Sequence, residues 1–343
     1  MHNRIGKSFN FRHVVLVADT LENSGGLARS VQMRQDLEMT DETTMQALLQ
    51  AFSELGLKVY HYHDPKSLAV NAKKHGRDLV LSIYGGKGSR NRMALVPAIC
   101  EVHGLAYVGP DVYGRVICQD KEVSKNLARE CGIDLPRHRI IRRTEDMQVI
   151  ERFPPPYVLK PVLEGSSIGI GPSNLVREGE DGTGVARSLL EELGPPIMVE
   201  AFVGGREVSY NCIEATPENV WAYSEVYVEG RDDYFNSHLF DADEKLNRRL
   251  PRRVRTIDDM LNETDRQKLN RLLAMIGRFG YCRVDGKHHE GRFVFIELTP
   301  DAWIAPTGAF AASFINKGWS YAEVIAAVLS SAALAPQGRS PSG

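Results

Sequence analysis

The sequence predicts an α/β chain in three units, the first an open sheet of parallel strands, and three observations carry that expectation. The 343 residues exceed one ordinary domain, so two or three separate cores are expected. Over the first third, short apolar runs alternate with stretches of helical periodicity, the pattern of a parallel sheet covered on both faces. From Ile197 onward, longer strand-like runs are accompanied by helical stretches at Glu263 to Phe279 and Tyr321 to Leu329.

In order, His13 to Asp19 reads as the first buried strand and Thr20 to Asp41 as a long polar loop with room for a short helix. Glu42 to Leu57 has apolar residues at helical spacing (Met45, Leu48, Leu49, Phe52, Leu55). Lys58 to His63 and Leu79 to Ile83 follow as strands, Ala94 to His103 as a helix and Gly104 to Gly109 as a short strand, which closes a first unit near residue 115. A second unit, 116–196, opens on a helix from Gln119 to Arg129 that stops at Cys131-Gly132. It continues through Arg139 to Ile141 to a predicted hairpin at Tyr157 to Ile170, whose tip is Glu164-Gly-Ser-Ser167. A surface turn at Arg177 to Gly184 and a helix at Ala186 to Leu193 complete it. The third unit, 197–334, has strands at Ile197 to Glu200, Val208 to Ile213, Val220 to Tyr227 and Phe293 to Glu297, and a last helix at Tyr321 to Leu329. Residues 335–343 are rich in Gly, Pro and Ser and are expected to be disordered.

Forty-two basic residues nearly balance forty-four acidic ones, which argues against a nucleic-acid groove or an anionic membrane as the main partner and favours small molecules. The basic run Arg248-Arg249, Arg252-Arg253-Val-Arg255 reads as a solvated loop, with nucleic-acid binding as its other reading. Five scattered cysteines show no Cys-x-x-Cys or Cys/His ligand spacing, as expected of buried thiols in a reducing cytosol. No leader-like apolar segment and no run fit to cross a bilayer is present, so a soluble cytoplasmic protein is expected.

Three motifs could carry chemistry. In Tyr157-Val-Leu-Lys-Pro-Val-Leu-Glu-Gly-Ser-Ser-Ile-Gly-Ile170, an apolar strand carries Lys160 into a Gly/Ser loop. Gly165 and Gly169 permit close approach of backbone to a polyphosphate, while Ser166 and Ser167 offer donors to its oxygens. An ordinary turn built of Gly and Ser would read the same way. Asp285, in Arg283-Val-Asp285, and Glu297, ending Phe293-Val-Phe-Ile-Glu297, sit on strands joined by a turn, so pairing brings the two carboxylates together. Converging carboxylates repel unless a cation lies between them, and oxygen-only ligands suit Mg²⁺ bound to phosphates. Arg283, on the same side of its strand as Asp285, could stabilise a developing oxyanion; a surface ion-pair cluster is the alternative. Glu200 and Glu207 flank Ala201-Phe-Val-Gly-Gly-Arg206, where strand-end carboxylates could receive an adenine amino group and ribose hydroxyls, or merely punctuate a surface.

Together and in this order these elements resemble the ATP-grasp superfamily, and within it the D-alanine–D-alanine ligases. Lys160-Pro-Val-Leu-Glu-Gly-Ser-Ser-Ile-Gly169 is similar to that family's Lys-Pro-x-x-Glu-Gly-Ser-Ser-x-Gly loop. Val199 to Glu207 resembles its adenosine-binding strand, Arg283-Val-Asp285 with Glu297 its magnesium strands, and Gln119-Asp-Lys121 with Lys125 its Asp-Lys helix start. The resemblance covers roughly residues 80–330. It implies a three-domain ATP-grasp architecture, with ATP held between two α+β domains, and phosphorylation of a carboxylate to an acyl phosphate that an amine then displaces. It implies that Lys121 and Lys160 bind phosphates, with Ser167 in the same loop, that Glu200 and the Val203 backbone hold adenine, and that Glu207 holds ribose. Asp285, Glu297 and Thr299 would hold one or two Mg²⁺ ions, Arg283 would stabilise the tetrahedral intermediate and Ser166 would organise the substrates. Amino-acid substrates, a role in peptidoglycan biosynthesis and a homodimer are implied in the same way.

Departures from the family pattern gather on the substrate side. Where the ligases have Glu-x-Asn and a small Gly-containing loop, this chain has Glu297-Leu-Thr299-Pro-Asp-Ala-Trp303, and Gly308-Ala309 replaces a Ser-Leu pair. The ligases' His-Gly turn is here Tyr84-Gly-Gly-Lys-Gly88, and Glu38 is the candidate for their early glutamate. No lysine stands in the loop near Tyr234 to Phe240, leaving His238 or Lys245 as candidates. A ligase acting on other substrates in specialised metabolism, or a nucleotide-binding regulator without the chemistry, are the alternatives these departures raise.

Overall fold

The computed structural model describes residues 9–21, 35–86, 88–242, 250–257 and 262–334. Most of the polar segment after Thr20, together with Lys245, Arg248, Arg249 and the tail, lies outside the described residues.

The first unit is a parallel sheet of β1 (His13–Val17), β2 (Lys58–Tyr62), β3 (Leu79–Ser82) and β4 (Ala106–Tyr107), in the order β2-β1-β3-β4. Val14 to Val17 are fully buried, which is why this strand shows no apolar/polar alternation. The helix Glu42–Glu54 starts at Asp41, whose carboxylate accepts the Thr44 N–H at 2.7 Å, and turns Met45, Leu48 and Phe52 onto the sheet. The chain's last long helix, Tyr321–Ser330, packs on the same face: Val324, Ile325, Val328 and Leu329 share one core with Val14, Leu16 and Leu81.

The central sheet holds β5 (His138–Ile141), β6 (Tyr157–Pro161), β7 (Leu175–Val176) and β8 (Ile197–Ala201) in the antiparallel order β5-β8-β6-β7. Two expectations are corrected here. Residues 162–171 form turns rather than the second strand of a hairpin; the partners of β6 are β7 and β8. Val162 and Ile168 are apolar because they are buried beneath those turns. The second correction concerns β8, which belongs to the central sheet although the sequence reading opens the third unit with it.

The third sheet is built from β9 (Arg206–Ile213), β10 (Val220–Val228), β11 (Arg252–Thr256), β12 (Tyr281–His289) and β13 (Arg292–Pro300), all antiparallel, in the order β11-β10-β9-β12-β13. The basic run expected as a loop is in part the edge strand β11. Arg255 pairs with the buried Glu225 at 2.7 Å, and Arg253 lies 3.2 Å from Glu229. Residue 115 lies inside a helix, Val112–Gln119, that the sequence reading does not foresee. This helix and Lys121–Glu130 place Ile117, Cys118 and Ala128 in the core of the third sheet. All five cysteines are free and buried. Among the described residues no helix is long and apolar enough to cross a membrane.

Candidate active site

A cavity of about 940 Å³ opens between the three sheets, and Lys121, Lys160, Ser166, Ser167, Glu200, Val203, Glu207, Arg283, Asp285, Glu297 and Thr299 all line it. Residues from positions 121 to 299 thus meet in one place, which neither a lone Gly/Ser turn nor a surface ion-pair cluster would produce.

At one end, β6 and β8 pair so that Lys160 and Glu200 approach from neighbouring strands. Lys160 Nζ lies 2.5 Å from Glu200 Oε1, and Lys125 Nζ lies 2.6 Å from Oε2. Lys125 stands one helical turn beyond Lys121 and is fully buried. Burial pushes its ammonium down to about 8, against the pull of Glu200. Burial alone would raise the Glu200 carboxyl, yet Lys125 and Lys160 outweigh it and hold the group below its ordinary value. Two ammoniums around one carboxylate leave a net positive charge, suited to an anionic ligand.

The same inequality sets an acid limit. Glu225, between Arg206 and Arg255 at 2.5 and 2.7 Å, is also held low once its ion pairs outweigh its burial. Because both carboxylates keep their charge to lower pH when folded, the unfolded chain takes up more protons below about pH 4.5. Their contribution is complete above that pH and lost as pH falls through the depressed native values. Urea midpoints measured from pH 7 to pH 3 are expected to drop below 4.5, and Glu200→Gln to flatten that drop.

The loop after β6 is fixed from the opposite side. Ser166 and Ser167 both adopt left-handed backbone, at φ 49° and 61°, and Ser167 Oγ donates to the Phe240 carbonyl at 2.8 Å. The Gly165 N–H donates to Glu38 Oε1 at 2.8 Å. Arg92 reaches Glu38 Oε2 at 2.6 Å and Glu164 Oε2 at 2.9 Å, while Lys121 Nζ donates to the Glu164 carbonyl. Glu38 is therefore part of the site, and Arg92 and Glu164 join it unpredicted. A Cβ built on Gly165 would lie 2.3 Å from Glu38 Oε1. Gly165→Ala is therefore expected to fold, displace Glu38 and lower kcat/KM by up to roughly 10²-fold, the scale of a 1 Å misplacement. Steady-state kinetics would check this, with wild-type turnover as the contrary result.

At the other end, β12 and β13 pair Asp285 with Glu297 and Arg283 with Thr299, as the hairpin reading requires. Arg283 Nε donates to both Asp285 oxygens, at 2.7 and 2.9 Å, and Ser209 and Thr299 hydroxyls donate to the same carboxylate at 2.7 and 3.0 Å. Burial would lower the Arg283 guanidinium, but Asp285 more than compensates and raises it. Lys121 Nζ lies 3.3 Å from Glu297 Oε2, joining the two ends. Among the described residues no three His, Cys, Asp or Glu form a metal cluster. Asp285 and Glu297 suit a cation that takes its remaining oxygens from phosphate and water, as Mg²⁺ does.

Lys287 is a further unpredicted member, its Nζ 2.6 Å from Glu207 Oε1. Its place two residues beyond Asp285 could have signalled it, but a register shift between Asp285 and Gly286 breaks the simple alternation. His238 does not line the cavity; its ring stacks on Tyr234. Cavity-lining cations beside that loop are Arg252 on β11, 4.6 Å over the Phe240 ring, and Lys287, 5.3 Å over the Phe235 ring. Tyr84, Trp303, Gly308 and Ala309 also face the cavity.

The family model described as D-ala D-ala ligase C-terminus matches residues 127–330. D-alanine–D-alanine ligase of Aquifex aeolicus is 25% identical over 297 residues, covering 83% of this chain and 93% of the relative. That of Novosphingobium aromaticivorans is 23% identical over 306 residues, covering 84% and 90%. Among solved structures, D-alanine–D-alanine ligase from Bacillus anthracis complexed with ATP superposes with a TM-score of 0.69 at 15% identity, covering 94% of this chain and 98% of that one. The VanG D-Ala:D-Ser ligase from Enterococcus faecalis superposes with a TM-score of 0.67 at 17% identity, covering 94% and 99%. These likenesses give the ATP-grasp fold to the architecture described above. The chain belongs to the D-alanine–D-alanine ligase C-terminal family, and it is an ATP-dependent carbon–nitrogen ligase.

Proposed function

We propose that the chain joins two amino-acid substrates through an amide bond, by way of an acyl phosphate formed at the expense of ATP. The observation that carries this reading is the meeting of Arg283, Asp285 and Glu297 with Lys121, Lys160 and the Ser166-Ser167 loop around one cavity. Lys121, Lys160 and the loop, with its Ser166 and Ser167 hydroxyls, hold the phosphates. Glu200 and the Val203 main chain receive adenine, since each Glu200 oxygen keeps a lone pair beyond its ion pair, and Glu207 receives ribose. Magnesium held by Asp285 and Glu297, with the Thr299 hydroxyl beside them, supplies neutralisation of phosphate charge. Arg283 stabilises the oxyanion as the amine adds to the acyl carbon and phosphate departs. Ser166 and Glu38 organise the substrate side, where the loop meets the first unit.

The reading extends to a three-domain division, at about 1–115, 116–196 and 197–334, with the sheet exchanges described above, and to a homodimer in the cytoplasm. Light scattering of the purified protein would check the dimer. The test of function is phosphate release from ATP against D- and L-amino acids, singly and in pairs. Release that rises only when both substrates are present is expected; bound ATP with no stimulation by any of them would sink the proposal.

A further inference from the structure

We propose that Trp303 is a rigid wall of the substrate end and selects an amino acid with a large apolar side chain over one bearing a methyl or hydroxymethyl group. The inference rests on the ligase reading and deepens it. β13 ends at Pro300, and the chain beyond it is fastened at successive residues. The Asp301 carboxylate pairs with the Arg115 guanidinium, both nearly fully buried, and Asp301 is left-handed at φ 47°. Ala302 and Ile304 are buried in the core they share with β1 and β3. Gly308 lies against the indole: a Cβ built on it would lie 3.0 Å from Trp303 Cε3, so a larger residue there would press on the ring.

Between these anchored neighbours Trp303 is 42% exposed and lines the cavity. Leu37, Met39, Ile83 and Met93 line the same cavity from the first unit, each half-buried. Leu37 and Met39 flank Glu38, which accepts the Gly165 N–H, so this part of the apolar lining borders the Ser166-Ser167 loop. Apolar side chains turned toward a cavity gain from a ligand that removes them from water, by about fourfold in affinity per buried methylene.

The test is calorimetric titration of the protein loaded with Mg²⁺ and the β,γ-imido analogue of ATP, using both enantiomers of alanine, leucine and phenylalanine. Leucine or phenylalanine of one hand is expected to bind at least about tenfold more tightly than alanine of that hand. Trp303→Gly should shrink the preference to within about threefold without weakening the nucleotide analogue. Met39→Ser provides the same comparison should the glycine variant not fold. Alanine binding as tightly as the larger residues, a preference unchanged in both variants, or no binding by any of the six would overturn the inference. ADP release distinguishes the two readings: turnover with small amino acids alone removes the apolar preference and keeps the ligase, whereas tight apolar binding with no turnover by any pair removes the ligase.

Discussion

Arg283→Ala is expected to bind ATP as the parent does and to ligate on the order of 10²–10³-fold more slowly, the loss typical of one oxyanion donor. The separation follows from geometry: Arg283 sits on β12 with Asp285, while Lys125, Lys160 and Glu200 gather on the helix Lys121–Glu130 and the central sheet. Removing the guanidinium leaves Asp285 with the Ser209 and Thr299 hydroxyls, so the carboxylate remains hydrogen-bonded and the strand pairing is untouched. Arg283→Lys keeps the charge but loses the planar fork and should recover only a small part of the rate. Nucleotide affinity by calorimetry and single-turnover amide formation separate the two effects. Ligation at the parent rate in Arg283→Ala would remove this residue from the mechanism.

A larger effect on folding is expected from Glu200→Leu, which leaves Lys125 and Lys160 buried without their shared counter-charge. Breaking a buried ion pair from one side typically costs about 3–5 kcal/mol, because the remaining charge has lost both water and partner. Lys125, already depressed to about 8, is the group that sheds its proton first. Adding Lys125→Met should return much of the loss, since a well-packed apolar pair often replaces a buried ionic one with little penalty. Urea denaturation of the three proteins measures this, and a Glu200→Leu protein as stable as the parent would show the clamp to be inert. Nucleotide binding should fall in both variants, as each removes the carboxylate proposed to receive adenine.

The meeting of Lys160, its loop, Arg283, Asp285 and Glu297 at one cavity was legible in the sequence because it is written in short local motifs. Lys160 and the loop after it are contiguous, Asp285 and Glu297 meet through one hairpin, and strand alternation puts Arg283 beside Asp285. Residues whose roles depend on long-range approach were not legible. Arg92 matters because the first sheet brings it against Glu38 and Glu164, and Lys287 because β12 lies beside β9. The fold divides the same way. The strands of the first sheet follow from apolar runs, whereas β8 looks like any buried strand and its sheet is chosen by pairing with β5 and β6. β11 was hidden by its arginines, which an edge strand tolerates because its outer side is unpaired and Glu225 neutralises two of the neighbouring cations.

The shared core of β1, β3 and the helix Tyr321–Ser330 bears on how the chain is made. Val14 and Leu16 leave the ribosome early, but the side chains that cover them, Val324, Ile325 and Val328, are synthesised some three hundred residues later. Domains ordinarily fold in the order of their synthesis, at about 5–20 residues per second. In this chain the strands of the first sheet wait tens of seconds for that helix, with one apolar face incompletely covered until it has been synthesised. The third sheet, whose core residues end at Leu298, can close its own core beforehand.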